Sequence, residues 1–326
     1  MAKSKTPAVR HLRYEVVNSP EANVETSHYV DIARDLSAIN RRMMPQDRMY
    51  YISKITVVSS NTIAGITHEN ATPIPGSTVW TQNAGFISVG VAPTSWAVIN
   101  AVKKGRELYM KSLKDAMSSV EMKKGRYNHF KIRGLHAAAP SPTYLVPLDN
   151  GGNQLELGGA AAWRYSNFIS PDGTTSVDSY TAHILGGHVG SGPGAYTSVG
   201  LVESYGNTRS TVNSSAPTPI QDTDDPLANL MDDGTVVDER LAEATFNDDN
   251  PPYDLNEYPG SAGNMSRPLV VQHGTLGSDG RVTLGGFAAL HGLIEFEVKS
   301  PVPNDTYSIL VELKEGSFKG IAAEAL

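Results

Sequence analysis

The stretch SWAVINAVKKGRELYMKSLKDAMSSV, residues 95–120, decides the fold class. Val98, Ala101, Val102, Tyr109, Leu113, Ala116, Met117 and Val120 recur at the spacing that lines one side of a helix with 3.6 residues per turn. Thr94 or Ser95, just after Pro93, offers a hydroxyl to the first free amides as an N-cap. Gly105 is the weak point of the pattern, because glycine inside a helix costs up to about 1 kcal/mol relative to alanine. No other stretch has this length and period. A parallel sheet needs a crossover, usually a helix, between its strands. One long helix therefore rules out a parallel α/β fold.

Outward from the helix the chain reads as short strands. Before it lie 12–17, the strand region 48–64 rich in β-branched and aromatic residues, and 86–91. After it come 129–133, 144–148, 163–169, 179–185, 196–205, 269–273, 281–284, 288–298 and 307–314. Residues 30–39 predict one or two helical turns, and 68–82, with its Thr, Pro and Gly, a surface loop. Turns fall at Asp149-Asn150-Gly151-Gly152, Pro171-Asp172-Gly173 and Ser278-Asp279-Gly280. The reading is mainly β: a jelly-roll β-sandwich with one long inserted amphipathic helix and long loops. Residues 1–11 read as a short basic arm and 12–326 as a single domain. Residues 207–267, aperiodic and rich in Ser, Thr, Pro and Asp, read as a long acidic surface excursion.

Composition narrows the chemistry. The 326 residues contain no cysteine, which excludes disulfides, cysteine nucleophiles and thiolate metal sites. No run of about 18 apolar residues occurs, so no helical membrane span is expected. The net charge of −7 hides a split: residues 1–134 carry 19 basic and 10 acidic side chains, the remainder 8 and 24. Between positions 103 and 133 stand ten basic residues against three acidic ones. Lys103, Lys104, Arg106, Lys111, Lys114, Lys123, Lys124 and Arg126 form a candidate surface for a polyanion, bound through phosphate without base specificity. The competing reading is a solvated helix face that happens to be basic.

Other motifs are weaker. The cluster Gly186-Gly187-His188-Val189-Gly190-Ser191-Gly192-Pro193-Gly194 is followed by a strand-like Tyr196-Thr197-Ser198-Val199, not by the helix a phosphate loop requires, so it reads as an interstrand loop. His183 and His188 have neither the spacing nor the carboxylates of a zinc site. No Gly-x-Ser-x-Gly elbow is present. The segment 222–257 holds twelve carboxylates and one base, Arg240. Asp222, Asp224, Asp225, Asp232 and Asp233 could gather oxygens around a structural calcium ion, although the spacing is not that of an EF-hand; a solvated acidic loop is the alternative.

A family resemblance rests on dispersed stretches. They are the short basic N-terminus, Arg48-Met49-Tyr50-Tyr51-Ile52-Ser53-Lys54-Ile55, the strand leading into the Trp96 helix, His188-Val189-Gly190 with Thr197-Ser198-Val199-Gly200-Leu201-Val202, Asp225-Pro226-Leu227-Ala228-Asn229-Leu230, and Pro251-Pro252-Tyr253. Together they resemble capsid (coat) proteins of small circular single-stranded DNA viruses of the environmental CRESS-like type. The resemblance implies a virion protein that self-associates into an icosahedral shell around viral genomic nucleic acid, with no catalytic residues, no cofactor and no membrane partner. The chain departs from many such coats in its arm, where only Lys3, Lys5, Arg10 and Arg13 supply charge. That moves the expected packaging surface to residues 103–133. The alternative function is a carbohydrate- or surface-binding β-sandwich of spike or adhesin type, stacking sugars on Trp80, Trp163 and loop tyrosines.

Overall fold

A computed structural model describes residues 8–68, 77–119, 125, 128–135, 143–155, 163–170, 178–190, 196–209 and 268–326. The order is β1 (His11–Val17), β2 (Thr26–Asp31), α1 (Ile32–Asn40), β3 (Arg48–Ser59), β4 (Ile63–His68), β5 (Ser77–Gln82), β6 (Phe86–Val91), α2 (Trp96–Ser119) and β7 (Arg133–Leu135). It continues with β8 (Thr143–Tyr144), β9 (Asn167–Ser170), β10 (Asp178–Leu185), β11 (Val189–Gly190), β12 (Tyr196–Gly200) and α3 (Leu201–Arg209). The last elements are β13 (Leu269–Thr275), β14 (Arg281–Leu284), β15 (Phe287–Leu290), β16 (Leu293–Lys299), β17 (Thr306–Leu313) and β18 (Ala323–Ala325).

The protein is mainly β, with antiparallel sheets in the manner of a β-sandwich. One sheet runs β1-β17-β3-β14, with β15 and β18 also pairing to β3; a second runs β13-β6-β16-β2-β8. Two strands of the first sheet alternate strictly: β1 buries Leu12, Tyr14 and Val16, and β17 buries Tyr307, Ile309, Val311 and Leu313. This is the period-two pattern of a sheet with one face in the core. Ile87, Val89, Ile294, Phe296 and Val298 of the second sheet join the same core. Burying each such side chain contributes about 1.5–3 kcal/mol. The buried tyrosines keep their hydroxyls bonded: Tyr14 donates to Asp35 Oδ2 at 2.7 Å and Tyr50 to Pro45 O at 2.7 Å.

The pairings are nested. β1 lies against β17, β2 against β16, β3 against β14 and β15, and β6 against β13, all antiparallel. Everything between 92 and 268, including α2 and α3, therefore separates two neighbouring strands, β6 and β13. Within it a third sheet, β11-β12-β10-β7 with β9, contains parallel pairs: β10 with β12 and β10 with β7. A second core of Val98, Ala101, Val102, Ile132, Ile184, Leu201 and Val202 closes onto Leu290 and Leu293 of the sandwich.

Several sequence expectations are corrected. Residues 77–82 of the expected loop 68–82 form β5, which pairs with β4 along its whole length; residues 69–76 lie outside the described residues. The expected strand 196–205 stops at Gly200 and continues as α3, so there is a second helix of nine residues beyond α1. A Cβ on Gly200 would stand 2.7 Å from the Gly186 carbonyl oxygen, so the chain turns where two backbones touch. The expected strands 129–133 and 144–148 are displaced: the structure has Arg133–Leu135 and Thr143–Tyr144, each sharing one residue with the expected range. Strand β2 was not expected at all: its apolar residues are only Tyr29 and Val30, and pairing to β16 makes it a strand. At the N-terminus, Val9 exchanges two hydrogen bonds with the Asn40 side chain and His11 already belongs to β1.

The expected strand 288–298 breaks at His291 and Gly292, whose φ values are 59° and 72°. The turn passes the chain from β15 in one sheet to β16 in the other. An added Cβ at Gly292 would meet Tyr50 Cδ2 at 3.1 Å and Ala33 N at 3.2 Å. Gly292→Ala should destabilise the fold by about 1–3 kcal/mol, through the left-handed backbone and this crowding. A urea midpoint equal to the parent's would refute that.

Candidate functional site

The long helix is where the sequence placed it. Ser95 Oγ accepts from Val98 N at 3.5 Å and Ser95 O from Ile99 N at 3.1 Å, which starts the helix after Pro93. Its inner side carries Ala97, Val98, Ala101 and Val102, all buried. Gly105 is buried too, and its missing side chain has a use: a Cβ there would press to 3.1 Å of Leu201 on α3. From Met110 to Ser118 no residue of α2 is buried. The helix thus starts inside the protein and ends at its surface.

Lys103, Lys104, Arg106, Lys111 and Lys114 are all exposed on the outer side of α2, with Glu107 and Asp115 among them. Arg106 Nη2 pairs with Asp47 Oδ2 at 3.3 Å; among the described residues the four lysines form no ion pair. Lys123, Lys124 and Arg126 lie outside the described residues, as do Asp222, Asp224, Asp225, Asp232 and Asp233. The far end of the basic block has another use. Lys131 sits over the Trp163 ring at 5.2 Å, and burial lowers its pKa. Arg133 stacks on Tyr165 at 5.0 Å and Tyr144 at 5.9 Å. These two cations pack against aromatic rings. Among the described residues no group of three or more His, Asp or Glu side chains is placed to hold a metal ion.

Gln46 fastens this region to the sandwich. Its Nε2 donates to Asp31 Oδ2 at 2.8 Å and to Ile132 O at 3.0 Å, while its Oε1 accepts from Ile132 N at 2.6 Å. Asp31 also caps α1 through Arg34 N at 3.0 Å and accepts from the Tyr165 hydroxyl at 3.2 Å. Burial raises the pKa of both Asp31 and Asp35, and Arg34 pulls each back toward the charged form. The inner end of α2, residues 128–132 and the sandwich end form a small cleft. Ile99, Val102, Phe130 and Ile132 line it with apolar surface, Lys103 and Arg106 stand at it, and His291 and Leu326 reach it from the sandwich side.

No signal in the sequence marked His291. Its Nδ1 donates to Gln46 O at 2.6 Å, and burial pushes its pKa down to about 4. The sign follows. Above the ordinary value near 6.5, folded and unfolded forms are both neutral and the full stability is present. As pH falls from 6.5 toward 4 only the unfolded chain takes the proton, so stability is lost, by up to about 3 kcal/mol. His291→Asn should remove that share of the acid sensitivity, measured as urea midpoints at pH 7 and pH 4.5. An unchanged difference between the two pH values would sink the assignment.

His183 and Ser198 also meet. Ser198 Oγ lies 2.9 Å from His183 Nε2, and His183 Nδ1 donates to Leu185 O at 2.7 Å. Both side chains are fully buried, which makes them a packed pair within the third sheet. His188 Nδ1 accepts from Gly200 N at 3.0 Å, and the His188 backbone amide donates to Glu203 Oε2 at 2.7 Å. Within the glycine cluster, expected as a loop, Val189 and Gly190 form β11; residues 191–194 lie outside the described residues, and the strand expected after the cluster is β12. Comparison of the chain with family models, curated proteins and solved structures finds no match.

Proposed function

We propose that this chain is the major capsid protein of a virion: a jelly-roll building block that self-associates into a closed shell and holds nucleic acid on the outer side of α2. The nested strand pairing carries this reading. Counting the sandwich strands in chain order, with β14 and β15 as one, the first pairs with the eighth, second with seventh, third with sixth and fourth with fifth. An antiparallel ribbon rolled up on itself has this order. It is the architecture of eight-stranded jelly rolls, in which viral capsids, lectins and cupins are built. Residues 92–267 then form an insertion at the far end of the ribbon, with α2 as its first element.

Fold alone does not select among those functions. The exposed lysines of α2 favour a polyanion over a neutral glycan, and their fixed spacing on a helix suits phosphates at any sequence. The sugar-binding alternative loses part of its basis, because Trp163 lies half-buried under Lys131. Electron microscopy of the purified protein, with and without single-stranded DNA, tests the proposal. Closed shells of uniform diameter are expected; monomers or trimers under all conditions would overturn it.

A further inference from the structure

Beyond Gly105, as far as Ser118, α2 has no buried residue, and one flank of it forms an open groove with β9 and the residues before that strand. Leu108, Tyr109 and Leu113 line the helix side, and Arg164, Phe168 and Ile169 the other. Leu108 is 50 % exposed and Ile169 59 %, so large apolar side chains stand in solvent on both walls. Between them lies aromatic surface. Tyr109 and Phe168, each half-buried, meet edge to face at 6.4 Å, and both rest on Phe130, at 5.3 and 6.0 Å. The charge of the groove has one sign: Lys131 and Arg164 line it, and among the described residues no carboxylate does. Lys104 and Lys111, both exposed, stand four residues before and three after Leu108, the positions next to it on a helix surface, where they outnumber Asp115. Rings and apolar lips open to solvent between fixed cations supply what a strand of unpaired bases needs: a charged track for its backbone and π-faces for its bases.

We propose that this groove takes the unpaired bases of a single nucleic-acid strand, stacked on Tyr109 and Phe168, while the adjoining phosphates lie on Lys104, Lys111 and Arg164. Leu108 and Ile169 flank the bases from either wall. The inference rests on the reading of α2 as a nucleic-acid surface and gives that surface a ligand class. A duplex keeps its bases stacked on one another and presents the helix with phosphate alone. The groove therefore adds affinity only for an unpaired strand. Every base has a π-face, so the groove separates unpaired from paired bases and not one base from another.

Fluorescence anisotropy with the full chain compares oligo(dT) with an abasic strand of equal length, which carries the same phosphates and no bases. Oligo(dT) should bind at least about tenfold more tightly, and the ratio should persist at high salt, where phosphate contacts fade. Phe168→Leu should weaken oligo(dT) by about fivefold or more and leave the abasic strand unchanged. In the parent protein, irradiated oligo(dT) carrying one 5-iodouracil should cross-link to Tyr109 or Phe168, read by mass spectrometry; this measurement requires no variant to fold. Equal affinity for the two strands, or cross-links confined to other parts of the chain, would overturn the groove and leave phosphate binding by α2 standing. No binding of either strand overturns the α2 reading, and the groove with it. An Ile169→Glu variant that forms no shells yet binds oligo(dT) as the parent does would assign the groove to a neighbouring copy of the chain and overturn the proposal as well.

Discussion

Replacing Asp305 by alanine should lower the stability of the fold by on the order of 3–5 kcal/mol. The carboxylate is fully buried and accepts from Ser59 Oγ at 2.8 Å, Asn61 Nδ2 at 2.7 Å, Asn83 Nδ2 at 2.9 Å and Ser300 Oγ at 2.7 Å. Its backbone oxygen takes both the amide and the side chain of Asn18, at 2.8 and 2.9 Å. These partners end β1, β3 and β16 and precede β6, so one residue ties both sheets at one end. Alanine leaves several buried donors without an acceptor, and each such loss costs about 1–3 kcal/mol. Asparagine keeps the shape but brings two further donors into a ring of donors, and should recover little. Urea denaturation of parent and variants measures this. A loss below about 1 kcal/mol for alanine would mean that the ring of donors finds water instead.

Changing Lys103, Lys104, Lys111 and Lys114 together to glutamine should remove most of the salt dependence of single-stranded DNA binding. Each phosphate contact contributes about −0.7 to the slope of log affinity against log salt, so four contacts contribute about −3. The parent should therefore lose, through these lysines, about fiftyfold in affinity between roughly 50 and 200 mM salt, and the variant should not. Arg106 is left in place because its pairing with Asp47 would mix a structural effect into the result. All four lysines are exposed, so stability should stay within about 0.5 kcal/mol of the parent. Slopes that coincide for parent and variant would remove α2 as the nucleic-acid surface.

Where one physical cause dominates, the sequence was enough. Residues 86–91 and 281–284 are strands as expected, and α2 extends to within a residue of its expected limits at both ends. β17 was legible because its burial alternates without a fault from Thr306 to Leu313. Elsewhere distant contacts overrule local preference. Val202, Tyr205 and Thr208 favour strand, yet they lie in a helix that starts where Gly200 meets Gly186. The turn at His291-Gly292 carried a signal, a glycine after a residue able to take positive φ, but the apolar run on both sides hid it. The exposed lysines of α2 could be read from helical spacing. The cleft could not: residues 45–47, 99–106, 130–132, 291 and 326 come together only through tertiary packing. Lys131 and Arg133, counted with the basic block, are held by rings at positions 144, 163 and 165.

The nesting of the strands also fixes when the protein can fold. His11 is paired with Glu312, so the first sandwich strand waits for almost the last part of the chain to be made. At ribosomal speeds of about 5–20 residues per second, that wait is roughly 15–60 s. During it Leu12, Tyr14 and Val16 stand on an unpaired strand beside an unfinished sheet. The innermost pair, β6 with β13, does not relieve this, because residues 92–267 must emerge before it can close. Loop entropy makes that long interval inexpensive, at only about 0.6 kcal/mol per doubling of length. Delay is the larger burden: a nascent chain with a late-closing core needs a chaperone or low local concentration. A chain cut short before β17 has no partner for its own first strand.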